Sequence, residues 1–354
     1  MSAEIHRYDF TPIEIQQEFP DEILQQVIAS AAFKRLKSIK FLGAIDYILP
    51  AGARRPKKRH SRYQHSLAVA RLASIYCKLR DFSLTDYRYC VIAALLHDIG
   101  HAPLSHSLES VFKSQFEIDH HVSGERIIRG EVEIGRGLSS VLANANINNF
   151  RIMSIIAGVD EPRFNEIFSH AINIDTIEAI LRSLTYIYKI DSQLTAAKVL
   201  HALVERGPGA QDVLDAFWRA KEEVYAKLIQ GRMGLVADFI CKRYMELNSK
   251  EFKASYYYGT EQELRRDHSR LFDVLEVFGR TQHIPEDLIP NGYEISCTVR
   301  RFVIDMSVRI VDNASIDKRY TQTKRKAKFV VTKRRFENEG NLEQWHKDSD
   351  YLFK

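Results

Sequence analysis

The pattern of apolar and polar positions predicts a mostly helical chain. Between about residues 20 and 285, apolar residues recur every three or four positions, a spacing that gathers them on one face of an α-helix. Asp21 is placed to cap the first long helix, and another helix opens near His60. Further helices are predicted over 84–98, 104–115, 120–129, 150–158, 163–170, 176–189, 192–204, 210–230, 231–248 and 260–279.

The two ends of the chain have a different pattern. Residues 5–15 alternate well enough for a short strand or hairpin, and 293–311 and 327–336 favour alternating β-branched and aromatic residues. The predicted fold class is therefore mainly α, with a small β-containing C-terminal element. We expect four regions: an N-terminal strand or hairpin at 1–20, a helical core at 21–190, a helical extension completing that core at 191–285, and a β-containing basic region at 286–354.

The candidate chemistry lies where an apolar helix ends near residue 98. The helix delivers His97 and Asp98 together, and Gly100 suits its end. His101 and His106 follow within eight residues of Asp98. These side chains pack poorly in an apolar core, whereas imidazole and carboxylate together suit Mn, Fe, Zn, Ni or Co. The alternative is a solvated helix terminus that binds no metal.

Two further residues could take part in such a site. His65 lies in the first turns of a mostly apolar helix, where a lone histidine is usually a hydrogen-bonded core residue. With His97 and Asp98 available, a ligand role becomes the better interpretation. Asp175 precedes another helix, and its ordinary role would be an N-cap with Glu178 in a capping box.

Composition excludes several classes of protein. With 354 residues and 45% apolar content, the chain can build a large core. Its four cysteines are far apart, which predicts buried free thiols and neither a disulfide framework nor a zinc framework. The N-terminal residues have no secretory pattern, and no apolar run approaches a membrane span. We expect a soluble, cytoplasmic protein.

Two stretches concentrate positive charge, although the net charge is only +5. Residues 50–59 contain five basic side chains, and residues 318–335 contain nine basic and no acidic ones. Each could be merely solvated. The first leads directly into the candidate site, where it could attract phosphate. The second could bind a nucleic acid strand or a regulatory nucleotide between subunits.

Several motifs together resemble the HD-domain phosphohydrolases, in particular the branch of deoxynucleoside triphosphate triphosphohydrolases. The signature of a histidine, a His-Asp pair and a later aspartate is only loosely constrained, but the extended match is more specific. Its segments occur here in the order of that branch: PIEI (12–15), AFKRL (32–36), IKFLG (39–43), PAGA (50–53), RYQHSL (62–67), HDIGH (97–101), LSHSLE (104–109) and HVSG (121–124).

The resemblance implies a fold, a metal and a set of site residues. The fold would be an HD-type helical core holding a divalent transition metal (Mn, Fe, Ni, Co or Zn), possibly with Mg. The implied metal ligands are His65, His97, Asp98 and Asp175. The implied acid, base and phosphate-binding groups are His101, His106, Glu109 and His121. The implied substrate contacts are Arg62 on phosphate and, on a looser match, Tyr225 on the sugar.

The departures from that branch point to a changed substrate. A glutamine that contacts a sugar hydroxyl is replaced by Phe41. After the last metal aspartate, that branch usually has a basic residue, then an Asp-Tyr pair, then an Arg-Asp pair. This chain has Thr176, Glu178-Ala179 and Arg182-Ser183 at these places. Because a site that hydrogen-bonds a substrate hydroxyl discriminates through such groups, hydrolysis would be retained on a different substrate.

Three functional hypotheses follow. The favoured one is a metal-dependent phosphohydrolase that cleaves a phosphate ester or anhydride of a nucleotide, in which His121, supported by Glu109, or His106 manages protons. The second is a metal-dependent nuclease acting on a single strand tracked by the basic segments. The third is a nucleotide-sensing binding module with a structural metal centre. We expect a nucleotide or nucleic acid substrate, no membrane partner, and a homo-oligomer of two or more chains.

Overall fold

The computed structural model of the protein describes residues 10–48, 60–187, 194–331 and 336–337. The basic loop predicted at 50–59 lies outside these ranges, as do Lys333, Arg334 and Arg335 of the basic C-terminal segment. The described part confirms a mainly α fold with a small β element near the C-terminus.

Most of the predicted helices are present, but the one predicted over 260–279 is divided in two, and a helix that the sequence did not predict precedes the second strand. The helices are α1 (Pro12–Glu18), α2 (Glu22–Ala29), α3 (Ala31–Arg35), α4 (Ile45–Ile48), α5 (Arg62–Leu79), α6 (Leu84–Leu96), α7 (Glu109–Phe116), α8 (His120–Arg129), α9 (Arg136–Asn144), α10 (Asn149–Ile156), α11 (Asn165–Phe168), α12 (Ile174–Leu184), α13 (Ala196–Glu205), α14 (Ala210–Val224), α15 (Arg232–Leu247), α16 (Glu261–Asp267), α17 (Ser269–Thr281) and α18 (Asn313–Arg319). A π-helical turn, Tyr225–Ile229, follows α14. The strands are β1 (Glu294–Ile304), β2 (Tyr320–Val331) and β3 (Phe336–Glu337).

The N-terminal strand prediction is wrong for the residues that the structure describes. Residues 12–18 form helix α1 because the residues at its start cap it. The Thr11 hydroxyl accepts a hydrogen bond from the Glu14 amide, and the Glu14 carboxylate accepts one from the Thr11 amide. Pro12 at the first helical position has the backbone angle that a helix needs. These capping interactions outweigh the weak alternation of the sequence.

Helices α5 and α6 form the centre of the main hydrophobic core. Helix α5 begins after Ser61, and α6 begins after Ser83, each of which caps its helix with its side chain. Most apolar side chains of the two helices are buried. A helix that is apolar on most sides is stable only inside a protein. The start of α5 and the end of α6 are therefore held in densely packed surroundings.

A second apolar cluster packs beside the main core. It joins α4, α7, α15 and α17 through large buried side chains that include Phe112, Ile240, Phe272 and Phe278. The segment that follows α6 contributes Ala102 and Leu104 to this cluster. The stretch between α6 and α8 is thus held by packing on both of its sides.

The strands β1 and β2 form an antiparallel ribbon that is attached to α14. In its register, Arg300 lies opposite Lys324. The Trp218 indole donates a 3.1 Å hydrogen bond to the Val303 carbonyl. Arg319 donates hydrogen bonds of 2.6 and 2.8 Å to the buried carboxylate of Asp215. Strand β1 packs on α14, and α14 packs on α12, the helix that carries Asp175.

The cysteines agree with the sequence prediction. Cys77, Cys90 and Cys241 are buried, Cys297 is half-buried, and all four are free thiols. In the part of the chain that the structure describes, no helix is both long and apolar enough to cross a membrane.

Candidate metal centre and its surroundings

His65 enters the site from the first turns of α5. The Ser61 side chain caps this helix in a capping box with Gln64, which fixes the backbone directly before His65. The His65 residue is only 1% exposed. Phe41 packs against its ring, with 5.0 Å between ring centroids. The imidazole is therefore held in one orientation.

His97 and Asp98 follow directly after α6. Gly100, two residues later, lies against α8, and a Cβ atom there would come within 1.9 Å of the His120 carbonyl oxygen. A glycine is needed at this point because the two backbones approach so closely. The sequence attributed Gly100 to the end of a helix, but its effect here is to bring α8 next to the His-Asp pair.

Asp175 is not the N-cap that its local sequence suggested. Asn173 caps α12: its side-chain oxygen accepts a 2.9 Å hydrogen bond from the Thr176 amide, and the Thr176 hydroxyl accepts one from the Asn173 amide. The capping box predicted for Asp175 and Glu178 is therefore wrong. Because Asn173 already satisfies the start of the helix, the Asp175 carboxylate is available to face His65 and His97.

The four predicted ligands lie close together, and ligand atoms of His65, His97 and Asp98 all lie within 4.8 Å of one another. The Nε2 atom of His65 lies 3.0 Å from Oδ1 of Asp175 and 3.4 Å from Oδ2 of Asp98. The Nε2 atom of His97 lies 3.4 Å from a carboxylate oxygen of each of the same two aspartates. The two Nε2 atoms are 3.2 Å apart. The structure thus brings together residues from α5, the end of α6 and α12.

The hydrogen bonds of the two histidines show that this point suits a cation. The Nδ1 atom of His97 donates to the Ala94 carbonyl at 2.8 Å, and that of His65 donates to the Glu178 carboxylate at 2.5 Å. In a neutral imidazole, Nε2 then carries a lone pair. Two such lone pairs and two carboxylates facing one another form a donor set of two nitrogens and two oxygens, which fits a divalent transition metal.

The electrostatics of the cluster also favour a cation between the four side chains. Burial lowers the pKa of His65, but the carboxylates of Glu178, Asp175 and Asp98 outweigh it and raise the value to about 9. Burial raises the pKa of Asp175, but the two histidine rings, when protonated in the absence of a metal, hold it well below its usual range through hydrogen bonds and positive charge. The point between the four side chains is therefore strongly attractive to positive charge.

Arg62 lies against the metal centre and is already engaged. Its Nη1 donates a 2.8 Å hydrogen bond to Oδ2 of Asp98, and its Nε donates one to the Ser105 hydroxyl at 3.1 Å. Arg62 and Asp98 are both buried. The contact of Arg62 with a phosphate stays a prediction. The arrangement also gives Arg62 a second role, because its hydrogen bond orients Asp98.

A second cluster of histidines adjoins the first. His101 lies 3.1 Å from Asp98 through Nε2 and stacks on the ring of His120 at 4.7 Å. The Glu109 carboxylate lies between two rings, 2.9 Å from Nδ1 of His120 and 3.2 Å from Nδ1 of His106. One ligand atom from each of His101, His106, Glu109 and His120 lies within 4.8 Å of the others. They could transfer protons, or they could hold a cation themselves.

The sequence analysis expected Glu109 to support His121, and this geometry corrects that expectation. Glu109 contacts His120, whereas His121 is exposed on the first turn of α8 and touches the ring of His120. Asp119 caps α8 and sets the direction of the two neighbouring side chains. Sequence analysis missed His120 because two adjacent histidines cannot be told apart without the helix orientation.

Two more residues, Glu178 and Arg182, belong to the site although the sequence analysis gave them no role in it. Glu178 accepts the hydrogen bond from His65, and Arg182 donates to both Glu178 oxygens at 2.6 to 3.1 Å. Both side chains are buried. Their spacing of four residues on one helix could have indicated the pair, because residues four apart meet on a helix face. Phe41 lies beside them, facing His65 and the guanidinium of Arg182.

Tyr225 begins the π-helical turn that follows α14. Its ring packs on Phe302 of β1 at 4.6 Å. Burial raises the pKa of Tyr225, the charge of Arg300 lowers it, and the Asp175 carboxylate raises it further. Among the four ligands, Asp175 has the most exposed side chain, at 34%. The contact of Tyr225 with a sugar stays a prediction.

Comparison with known proteins relates part of this arrangement to a family. Residues 62–173, about a third of the chain, match the family model of the HD domain. The matched range includes His65, His97 and Asp98, while Asp175 lies two residues beyond its end.

Curated relatives match parts of the chain. The chain is 33% identical over 135 residues to the uncharacterized protein YwfO of Bacillus subtilis, covering 37% of this chain and 29% of that protein. It is 26% identical over 223 residues to the uncharacterized protein MJ1154 of Methanocaldococcus jannaschii, covering 63% of this chain and 46% of that protein. The deoxynucleoside triphosphate triphosphohydrolase SAMHD1 of Mus musculus is 34% identical over 110 residues, or 28% of this chain and 15% of SAMHD1. The chain thus spans less than half the length of these relatives.

Proposed function

We propose that this HD-domain protein is a metal-dependent phosphohydrolase that cleaves a phosphate ester or anhydride of a nucleotide. The observation that carries the proposal is the convergence of four side chains: the Nε2 atoms of His65 and His97 each lie within 3.4 Å of carboxylate oxygens of both Asp98 and Asp175. A nucleotide substrate is supported by the similarity of about a quarter of the chain to deoxynucleoside triphosphate triphosphohydrolases.

The four ligands would hold a divalent transition metal. Such an ion lowers the pKa of water to about 7 and polarises a phosphoryl group. Around it, the side chains of this chain keep the ligands in place: Glu178 orients His65, and Arg62 orients Asp98. Partners of this kind usually maintain metal affinity and ligand direction.

Proton transfer would fall to the second cluster. His106 and His120 share the Glu109 carboxylate, and the His106 side chain is 60% exposed. A histidine paired with a carboxylate exchanges protons near neutral pH. His101 offers another group: its Nδ1 is buried and has no hydrogen-bond partner in the described part of the chain. Since Nε2 of His101 faces Asp98, this buried Nδ1 can act as an acceptor within the cluster.

The substrate would differ from that of the similar triphosphohydrolases. Phe41 and Tyr186 form a small apolar cluster beside Ala179 and Leu228, and Glu178 and Arg182 satisfy each other. Phe41, Ala179 and Ser183 stand where the resemblance placed groups that contact a sugar. Because their polar groups are paired internally or replaced by apolar ones, they do not present the same hydrogen bonds to a substrate.

A nuclease remains the second candidate function, because of the strand β2. Its Lys324, Arg325 and Lys326 are exposed and follow one another along the strand. A row of cations of this kind can follow the phosphates of a single strand. The metal chemistry would be the same, and only the position of the attacked phosphate would differ.

Product analysis separates these candidates. The full chain is loaded with Mn²⁺, Mg²⁺, Co²⁺ or Ni²⁺ and incubated with deoxynucleoside triphosphates, nucleoside triphosphates and labelled single strands. The products are then identified by mass. We expect metal-dependent cleavage of a nucleotide and no cleavage by the His97→Ala/Asp98→Ala variant. Shortened strands with intact nucleotides would favour the nuclease, and metal binding without any product would favour the sensing module.

A further inference from the structure

The chain makes a strained, buried turn directly before His106. Leu104 and Ser105 both have left-handed backbone angles, with φ values of +61° and +49°, and they are 0% and 1% exposed. Residues other than glycine seldom adopt this conformation, and two in succession persist only where the surrounding structure holds them. The contacts that hold the Leu104–Ser105 turn therefore determine where His106 lies.

Glu261 of α16 joins this turn to the segment that precedes Phe41. Its Oε1 accepts a hydrogen bond from the Leu104 amide at 3.3 Å and another from the Lys40 amide at 2.7 Å. Its Oε2 accepts one from the Tyr47 hydroxyl at 2.5 Å. Glu261 is only 4% exposed, so water has little access to replace these contacts. One buried carboxylate thus holds two separate stretches of backbone side by side.

The Ser105 hydroxyl extends this arrangement to the metal centre. It donates a 2.8 Å hydrogen bond to the Lys40 carbonyl and accepts one from Nε of Arg62 at 3.1 Å. Arg62 in turn donates to Asp98. Because Lys40 gives its amide to Glu261 and accepts from Ser105 through its carbonyl, one continuous set of hydrogen bonds connects α16 with a predicted metal ligand.

The role of Glu261 depends more on accepting hydrogen bonds than on full negative charge. Burial raises its pKa to about 7, although the bonds from the Tyr47 hydroxyl and the Lys40 amide lower it; the charge of Asp46 raises it further and that of Lys40 lowers it. Near neutral pH the side chain is therefore partly protonated. Glutamine has the same size and keeps an oxygen for both amides, whereas leucine would leave both amides without this acceptor.

We propose that Glu261 is a positioning residue that fixes the Leu104–Ser105 turn and, with it, the place of His106. Through the Ser105 hydroxyl, it also steadies Arg62. Glu261 acts through backbone amides and not by contact with a reacting atom. This inference rests on the proposed function, and it assigns part of the geometry of the site to a helix outside the matched HD range of 62–173.

Steady-state kinetics and amide exchange test this role in the full chain loaded with Mn²⁺. Each of the four deoxynucleoside triphosphates is offered in turn. Glu261→Leu should lower kcat roughly 10- to 100-fold, the scale for a displaced reacting group, with KM and metal per chain nearly unchanged. Hydrogen–deuterium exchange of residues 99–108 should become at least about tenfold faster, because a buried amide loses its acceptor. Glu261→Gln should stay close to the native chain in both measurements.

Asp86→Ala is the matched control. Asp86 is a buried carboxylate in the first turn of α6, at the opposite end of that helix from His97. Its loss should lower stability but leave kcat and the exchange of 99–108 nearly native. Native kcat or native exchange in Glu261→Leu would overturn the proposal, as would an equal loss of kcat in Asp86→Ala or Glu261→Gln.

Two further outcomes are covered by the design. If Glu261→Leu does not fold, Ser105→Ala replaces it: this variant cuts the contact of the turn with Arg62 and should lower kcat about three- to tenfold, the effect of one lost hydrogen bond. A native kcat there would overturn the proposal. A native chain that hydrolyses none of the nucleotides would refute the proposed function. Faster exchange in Glu261→Leu would then still support the hold on the turn, and unchanged exchange would overturn it.

Discussion

The Nδ1 atom of His65 lies 2.5 Å from the Oε2 atom of Glu178, so the imidazole is held from behind by a buried carboxylate. Glu178 is itself fixed by Arg182, whose Nη1 in turn lies 2.9 Å from His60. This chain of contacts joins α12 to the start of α5. The Nε2 atom of His65 is consequently directed at His97 and Asp175.

Replacing Glu178 with Gln should weaken metal binding roughly 10- to 100-fold, the usual effect of removing a partner behind a metal-binding histidine. The amide keeps the size of the side chain but removes the charge that makes Nε2 more basic. Metal affinity is measured by competition with a chelator, and circular dichroism checks the fold. If the folded Glu178→Gln chain bound metal as tightly as the native chain, the Glu178 carboxylate would not act through His65.

A pair of matched variants decides which histidine of α8 transfers protons. His120→Ala should lower the hydrolysis rate by about 10²–10⁴, the usual contribution of general acid–base catalysis, with its metal content unchanged. His121→Ala should stay within a few-fold of the native rate, because His121 is exposed and Glu109 contacts His120. A larger loss of rate in His121→Ala than in His120→Ala would assign the proton transfer to His121, as the motif match predicted.

Phe41 is expected to stabilise the core beside the metal centre. It is buried against His65 and lies 5.2 Å and 5.7 Å from the guanidinium carbons of Arg62 and Arg182. Phe41→Ala should lower the free energy of unfolding by about 3–5 kcal/mol, the usual cost of a large-to-small change in a core. Phe41→Met, which fills more of the space, should cost less. Urea denaturation measures the free energy of unfolding of both variants. Equal losses of stability in the two variants would show that the effect of Phe41 does not depend on the volume of its side chain.

The basic ribbon should bind polyanions if it takes part in function. Replacing Lys324, Arg325, Lys326 and Lys328 by Ser should weaken binding to single-stranded nucleic acid or to a nucleotide effector. For a single strand, affinity falls with salt at a log–log slope of roughly −0.7 per phosphate contact, whereas a nucleotide pocket gives a shallower slope. A small phosphodiester should be hydrolysed at the native rate. Unchanged binding of both ligands would leave the ribbon as a solvated hairpin, with Lys328 paired to Glu294.

Much of the fold could be predicted from local sequence. The apolar spacing of α5 and α6 and the cap at Asp21 are local features, and the structure agrees with them. The strand predicted near the N-terminus failed because an alternation over few residues is a weaker signal than the capping box of Thr11 and Glu14. The boundaries predicted between the four regions remain predictions.

The site was only partly predictable, since it depends on which side chains meet across elements. His97 and Asp98 are adjacent in sequence, and their chemistry alone suggested a metal. Asp175 could be named only through the family resemblance, because its local sequence favoured a cap. The partnership of Glu178 with His65, and of Glu109 with His120, depends on how α12 and α8 are rotated, which no motif records.

Metal content is the measurement that tests the central claim most directly. The native chain and the His97→Ala/Asp98→Ala variant are purified in the same way, exposed to the same Mn²⁺, and analysed for metal per chain by elemental mass spectrometry. We predict that the native chain retains metal and that the folded variant has lost it together with all hydrolysis. Full metal occupancy in the variant would contradict the assignment of His65, His97, Asp98 and Asp175 as the metal centre.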